Sequence, residues 1–140
     1  MLLEGNPGKR PINHAEPQPR LKTPRCPDYL DEEAKNEWKR LVRILRHMKL
    51  LTEADYISLG NLCQAYSTMI KAQMKLSESG LLFKTGSGYV QQSPLLGVVN
   101  TCMETITRLC REFGLTPSSR SRMQLLSTER EQSSDGVLDF

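Results

Sequence analysis

The stretch Ser79–Pro94, SGLLFKTGSGYVQQSP, decides how this chain folds. Gly80 ends a helical pattern that precedes it. Leu81–Thr85 and Tyr89–Gln92 then flank Gly86-Ser87-Gly88, the pattern of a small β-hairpin with a glycine-rich turn. The two glycines do not suit a phosphate-cradling loop, because no helix start follows them directly. Ser93-Pro94 caps a new helix, with proline at the first position, where its missing N–H leaves nothing unpaired. An isolated hairpin is marginal, so this one must pack on the helices or on a neighbouring subunit. Two long helices joined in this way most simply lie antiparallel.

Upstream, Thr52-Glu53-Ala54-Asp55 is a start resembling a capping box, with Asp in place of the usual Glu. Leu59, Leu62, Cys63, Tyr66, Met69, Ile70 and Met74 recur at helical spacing to about Ser79, a helix on the order of 40 Å long. Its Met/Tyr stripe reads as packing rather than a cofactor site. Downstream, Leu95, Val98, Val99, Cys102, Met103, Ile106, Leu109, Cys110 and Phe113 form the apolar stripe of the second long helix. Leu59, Leu62, Tyr66, Met69, Ile70, Val99, Met103 and Ile106 are the expected core or oligomer-packing positions.

A preceding helix starts at Asp31, with Glu32 and Glu33 favourably placed in its first turn. Trp38, Leu41, Val42, Leu45 and Met48 form its buried stripe. Opposite them lie Lys39, Arg40, Arg43, Arg46 and Lys49, with no acidic residue from Lys39 to Lys49. Gly114 stops the third helix, and Thr116-Pro117 caps a short fourth. The expected fold is therefore mainly α: two long antiparallel helices, a preceding helix, a short C-terminal helix and a small β-hairpin between the long pair.

The ends differ from the middle. Residues 1–28 hold Pro7, Pro11, Pro17, Pro19, Pro24 and Pro27, which forbid helix and supply no sheet amides, so they predict an extended arm. Lys9, Arg10, Arg20, Lys22 and Arg25 make it basic. Residues 29–126 form the expected helical domain. Residues 127–140 carry Arg130 against Glu129, Glu131, Asp135 and Asp139, and read as an acidic tail disordered until bound. Its Val137, Leu138 and Phe140 among acids suit a docking peptide.

The net charge of +3 hides an asymmetry, since residues 1–126 carry 18 basic and 12 acidic side chains. Such a body suits an anionic partner. The 38 % hydrophobic content is lower than usual, so part of the chain lies outside a monomeric core or packs on other copies. Cys26, Cys63, Cys102 and Cys110 show no metal or disulfide spacing, and the last three read as small buried hydrophobes. There is no signal peptide and no apolar run long enough to span a bilayer, which predicts a cytosolic, reduced protein without a membrane partner.

No catalytic constellation is present. Gly5-Asn6-Pro7-Gly8-Lys9-Arg10 has the wrong spacing for a P-loop, lacks the Ser or Thr after lysine, and its prolines preclude the strand–loop–helix context. No nucleophile elbow, His-based triad or paired core carboxylates occur. No enzyme, metal or cofactor is expected. The candidate chemistry is DNA contact by the arm (Lys9, Arg10, Arg20, Lys22, Arg25), by the first helix (Lys39, Arg40, Arg43, Arg46), or by the Ser118–Arg122 turn (Arg120, Arg122). For each, a solvated surface is the alternative.

The wording of three stretches adds a resemblance. LLEGNPGKRPIN (Leu2–Asn13), PDYLDEEAKNEWKRL (Pro27–Leu41) and EFGLTPSSRSRM (Glu112–Met123) are similar to the opening, middle and closing signatures of a family of phage terminase small subunits, a resemblance that spans roughly residues 2–126. Members usually carry a further basic leader, whereas Met1 here sits directly on Leu2. The expectation is a shortened or trimmed form without the DNA contacts of that leader. The resemblance implies a non-catalytic, ring-shaped homo-oligomer. It would bind double-stranded viral DNA at the packaging-initiation site, then deliver it to the large subunit and modulate that subunit's ATPase and nuclease. It further implies action in the cytoplasm of the infected or lysogenic bacterial host and absence from the mature virion. The acidic tail would dock the large subunit. Two rival readings are a dimeric transcriptional regulator using a helix-turn-helix around residues 40–60, and a protein–protein adaptor with no nucleic-acid role. The acidic early face of the second helix (Glu53, Asp55) argues against the first of these.

Overall fold

A computed structural model describes residues 20–135. Helix α1 (Glu32–His47) leads through a 3-10 turn (Glu53–Asp55) into α2 (Tyr56–Ser79). Strands β1 (Leu82–Lys84) and β2 (Val90–Gln92) follow, then α3 (Pro94–Glu112) and α4 (Pro117–Asp135). The hairpin is antiparallel, with Phe83 opposite Gln91.

The punctuation works as its residues dictate. Thr52 and Asp55 exchange both bonds of a capping box, Asp reaching the Thr52 amide at 2.7 Å. Gly80 takes φ 80° and closes α2 by donating its N–H to the Leu76 carbonyl. Ser93 caps the Leu95 amide with Pro94 at the first helical position.

Leu59, Leu62 and Cys63 near the start of α2 pack with Leu109 and Phe113 at the end of α3, while Ala72 and Leu76 near the end of α2 meet Val99 near the start of α3. The long helices are therefore antiparallel. Helix α1 joins only the first cluster, adding Ala34, Trp38, Leu41 and Leu45 together with Leu30 and Leu51. At one end α1 and α3 both pack on α2 around this cluster. The other is a two-helix stalk that, among the described residues, has no third helix to cover its flanks. Accordingly Met74 and Met103, read as stripe positions, stay largely exposed, and Ala72 and Leu76 carry the seam instead.

One expectation is corrected. The fourth helix is not short: it runs for 19 residues, so 127–135 are helical where disorder is expected. No glycine or proline interrupts 118–135, and Gln, Leu, Arg and Glu there favour helix. The expected tail residues 136–140 lie outside the described residues. At its root, residues 20–27, the arm has no helix or strand. Pro24 and Pro27 are buried, and Pro27 and Tyr29 lie over Gly60, where an added Cβ would come within 3.3 Å of Pro27 Cγ and 2.8 Å of the Tyr29 hydroxyl. Proline is apolar and has no N–H to satisfy, so burying it leaves no orphan donor. Residues 1–19 lie outside the described residues.

Asp31 locks α1 to α2. One carboxylate oxygen accepts from the Ala34 amide (2.9 Å) and the buried Ser67 hydroxyl (2.6 Å); the other accepts from Gln64 Nε2 (3.2 Å) and Lys71 Nζ (2.7 Å). Lys71 above all, then Ser67 and the Ala34 amide, hold this carboxyl well below the usual aspartate range.

Helices α1 and α3 end in the same Schellman motif. In α3, Gly114 (φ 72°) donates to the Arg111 carbonyl, and Leu115 donates to that of Cys110. In α1, Lys49 donates to Arg46 and Leu50 to Leu45, but the left-handed position is held by lysine at φ 55°. A Cβ in that conformation costs about 1–2 kcal/mol.

Candidate nucleic-acid interface

Helix α1 sorts its cations by its own geometry. Lys39, Arg43 and Arg46 are spaced i, i+4, i+7, so they form one exposed stripe. Arg40 is rotated about 100° from Lys39 and sits on the flank of that stripe. Its guanidinium is held in two bonds by Glu37, Nε to Oε2 at 2.9 Å and Nη2 to Oε1 at 2.5 Å, with the Glu37 side chain only 10 % exposed. The stripe is carboxylate-free, but its neighbour Arg40 is already neutralised.

The stripe runs into a small niche of about 200 Å³ at the C-terminal end of α1. Lys22 and Thr23 from the arm root, Arg46 and Lys49 line it, with Leu21 and Leu51 beside them and no carboxylate. None of these three cations makes an ion pair among the described residues. The expected site residues Lys22 and Arg46, 24 positions apart in sequence, are thus brought together. Lys49, which was not among them, completes the group.

The remaining candidates are scattered. Arg20 is exposed at the arm root, and Arg25 pairs loosely with Asp28 at 3.7 Å, both in solvent. Lys9 and Arg10 lie outside the described residues. Arg120 donates to the Leu115 carbonyl (3.3 Å) and borders an apolar groove of about 470 Å³ together with Glu37 and Arg40, remote in character from a phosphate track. Arg122 shares a separate depression with Arg111, Ser118 and Ser119. The Ser119 hydroxyl is engaged by Thr116 and that of Ser121 by the Pro117 carbonyl, so the turn presents fewer free donors than its sequence suggests. Arg111, in the last turn of α3, has no sequence signal beyond its charge.

Among the expected packing positions, Leu59, Leu62 and Val99 are buried, whereas Tyr66, Met69, Ile70 and Ile106 are half-buried. The cysteines behave as hydrophobes: burial pushes the Cys63 thiol up to about 12 and raises those of Cys26 and Cys110. Among the described residues no cluster of His, Cys, Asp and Glu could hold a metal ion, and no helix is long and apolar enough to cross a membrane. In the helix-turn-helix reading α2 would be the recognition helix, but its buried face is committed to α3 and its start is acidic.

These features define an α-helical scaffold that gathers unpaired cations at its three-helix end. The family described as phage terminase, small subunit, matches residues 34–130, well over half of the chain, and the chain belongs to that family. Comparison with curated proteins and with solved structures gives no significant match. The small subunit is generally the non-catalytic one of its enzyme, and membership implies association with DNA and with the large subunit.

Proposed function

We propose that this chain is the DNA-recognition subunit of a phage or prophage terminase. It binds double-stranded viral DNA at the packaging-initiation site, delivers it to the large ATPase/nuclease subunit and regulates that subunit, with no catalysis of its own. It acts in the cytoplasm of the bacterial host, not as a virion component. Family membership makes DNA the relevant anion. The observation that carries the reading is the carboxylate-free run of Lys39, Arg43, Arg46, Lys49 and Lys22. Neutralising several phosphates with such side chains releases counterions, so binding must weaken steeply with salt.

Self-association into a ring is part of the same proposal, and the stalk supports it. Met74, Leu81, Leu82, Phe83, Tyr89, Val90, Val98 and Met103 are 40–71 % exposed at the two-helix end. Taking roughly 200 Å² as the surface of a large apolar residue, they expose on the order of 800 Å² in total, spread over the stalk and both faces of the hairpin, since strand neighbours such as Leu82 and Phe83 point to opposite sides. Native mass spectrometry with and without duplex DNA tests both halves. The expected result is a multi-subunit assembly that binds duplex DNA with steep salt dependence. A monomer or simple dimer refutes the ring, and binding indifferent to salt refutes the DNA reading.

A further inference from the structure

We infer that the niche between the arm root and the end of α1 is a seat for one backbone phosphate of bound DNA, and that Lys49 holds a strained conformation in order to serve it. This rests on the DNA-binding reading above.

Two observations meet here. The first is the lining. Lys22, Arg46 and Lys49 converge with the Thr23 hydroxyl on a space of about 200 Å³ and no carboxylate balances them. That space equals several water volumes of about 30 Å³ each, enough for a phosphate group. A helix C-terminus carries partial negative charge, so an anion placed there must be supported by side chains. Three cations from two segments supply that support.

The second is the backbone. Lys49 is the single non-glycine residue with positive φ among the described residues. Its place is the left-handed position of a Schellman motif, and the chain fills the equivalent position of α3 with Gly114. Glycine would serve the turn better, so the side chain must serve something else. Compensation of the α1 dipole does not require it, because Arg46 and His47 already occupy the last turn. Nor does packing, since Lys49 is exposed. What remains is the niche that its side chain lines.

The test is Lys49→Gly in the full chain, with Lys49→Arg, Lys22→Ala and Arg46→Ala beside it, read by thermal melting and by duplex-DNA titration at several salt concentrations. Lys49→Gly is expected to raise the melting temperature by about 3–5 °C. It should weaken DNA binding at low salt by roughly threefold to tenfold and lower the salt slope by about one. Lys22→Ala and Arg46→Ala should lower the slope similarly without the thermal gain, and Lys49→Arg should keep both affinity and slope. If the parent chain shows no salt-dependent DNA binding, the functional reading itself fails. If the parent binds steeply but Lys49→Gly keeps its affinity and slope, only the seat is overturned. A melting temperature that falls in Lys49→Gly overturns the strain argument. Stabilisation by inorganic phosphate that the three variants abolish, with DNA binding untouched, overturns the assignment to DNA backbone in favour of a free-anion site.

Discussion

Replacing Asp31 by alanine should be the most costly single polar change among the described residues. The side chain caps α1 through the Ala34 amide, and loss of such a cap costs about 1 kcal/mol. The same oxygen receives the Ser67 hydroxyl at 2.6 Å, and Ser67 is fully buried. Removing the acceptor strands that hydroxyl, a further loss of about 1–3 kcal/mol. Lys71 is exposed and adds little. Asp31→Ala should therefore cost about 2–4 kcal/mol in total. Asp31→Asn can keep the Ala34 and Ser67 contacts through its carbonyl oxygen, but it loses the charge and turns an NH2 toward the Gln64 and Lys71 donors, and should cost about 1 kcal/mol. Trp38 is the chain's single tryptophan and sits in the α1–α2–α3 core, so its fluorescence reports unfolding in urea directly. The self-association proposed above would make stability depend on concentration, so variants must be compared at one protein concentration. A double-mutant cycle with Ser67→Ala should return about 1–2 kcal/mol of coupling. An Asp31→Ala variant within about 0.5 kcal/mol of the parent, the ordinary range for an inert surface change, or a cycle without coupling, would refute the lock.

The same group sets an acid limit. Because its folded pKa lies below its unfolded value of about 3.9, its stabilisation is fully present above about pH 5 and is lost as pH falls toward the folded value. Parent and Asp31→Asn should therefore converge in stability on acidification and diverge at neutral pH.

Three further outcomes are expected. Gly114→Ala meets a positive φ and a Met123 sulfur 2.8 Å from the new Cβ; it should destabilise by about 1–3 kcal/mol and expose the α3–α4 corner to limited proteolysis, the opposite sign to Lys49→Gly at the matching position. Arg43→Ala should lower DNA affinity and the salt slope, whereas Arg40→Ala should change DNA binding less than twofold, by order-of-magnitude reasoning from its pairing with Glu37; equal effects would refute the sorting of α1 into two faces. Cys63, buried and with a thiol pKa of about 12, should resist a thiol reagent at pH 8 until the chain is unfolded, and rapid native labelling would contradict the core assignment.

The helix boundaries were legible because each is written in local chemistry: Asp31, Thr52 with Asp55, Gly80, Ser93-Pro94, Gly114, and Thr116-Pro117. What the sequence could not show is pairing across distance. Nothing near Asp31 points to Ser67 or Lys71, 36 and 40 residues away. Glu37 looks like one more acid at the start of a helix, and only the fold shows it buried and holding Arg40. The seam of α2 also departs from the largest apolar residues, because a two-helix contact admits Ala72 where backbones approach and leaves Met74 outside. Lys49 hides a turn position, since its residue type disguises a conformation that glycine would have announced. The length of α4 was readable in the absence of a breaker but was overruled by the acidic composition of its second half.

The distribution of surfaces constrains how the proposed assembly and the proposed DNA binding can coexist. The cationic niche abuts Leu51, just before α2 begins, while the exposed apolar hairpin follows its far end, 24 residues or about 36 Å along the helix. At physiological ionic strength charges are screened beyond about 8 Å, so the two surfaces do not sense each other electrostatically. Contact between copies through the three-helix end would press unpaired cations against one another and cover the niche. Contact through the stalk buries the apolar residues that a two-helix structure cannot bury itself, and leaves every niche open. Disrupting the stalk with Tyr89→Ser and Val90→Ser should consequently dissociate the assembly and remove its avidity. Each separated subunit should retain its own salt-dependent DNA contact, because the groups that make it belong to a bundle end whose core needs no neighbour.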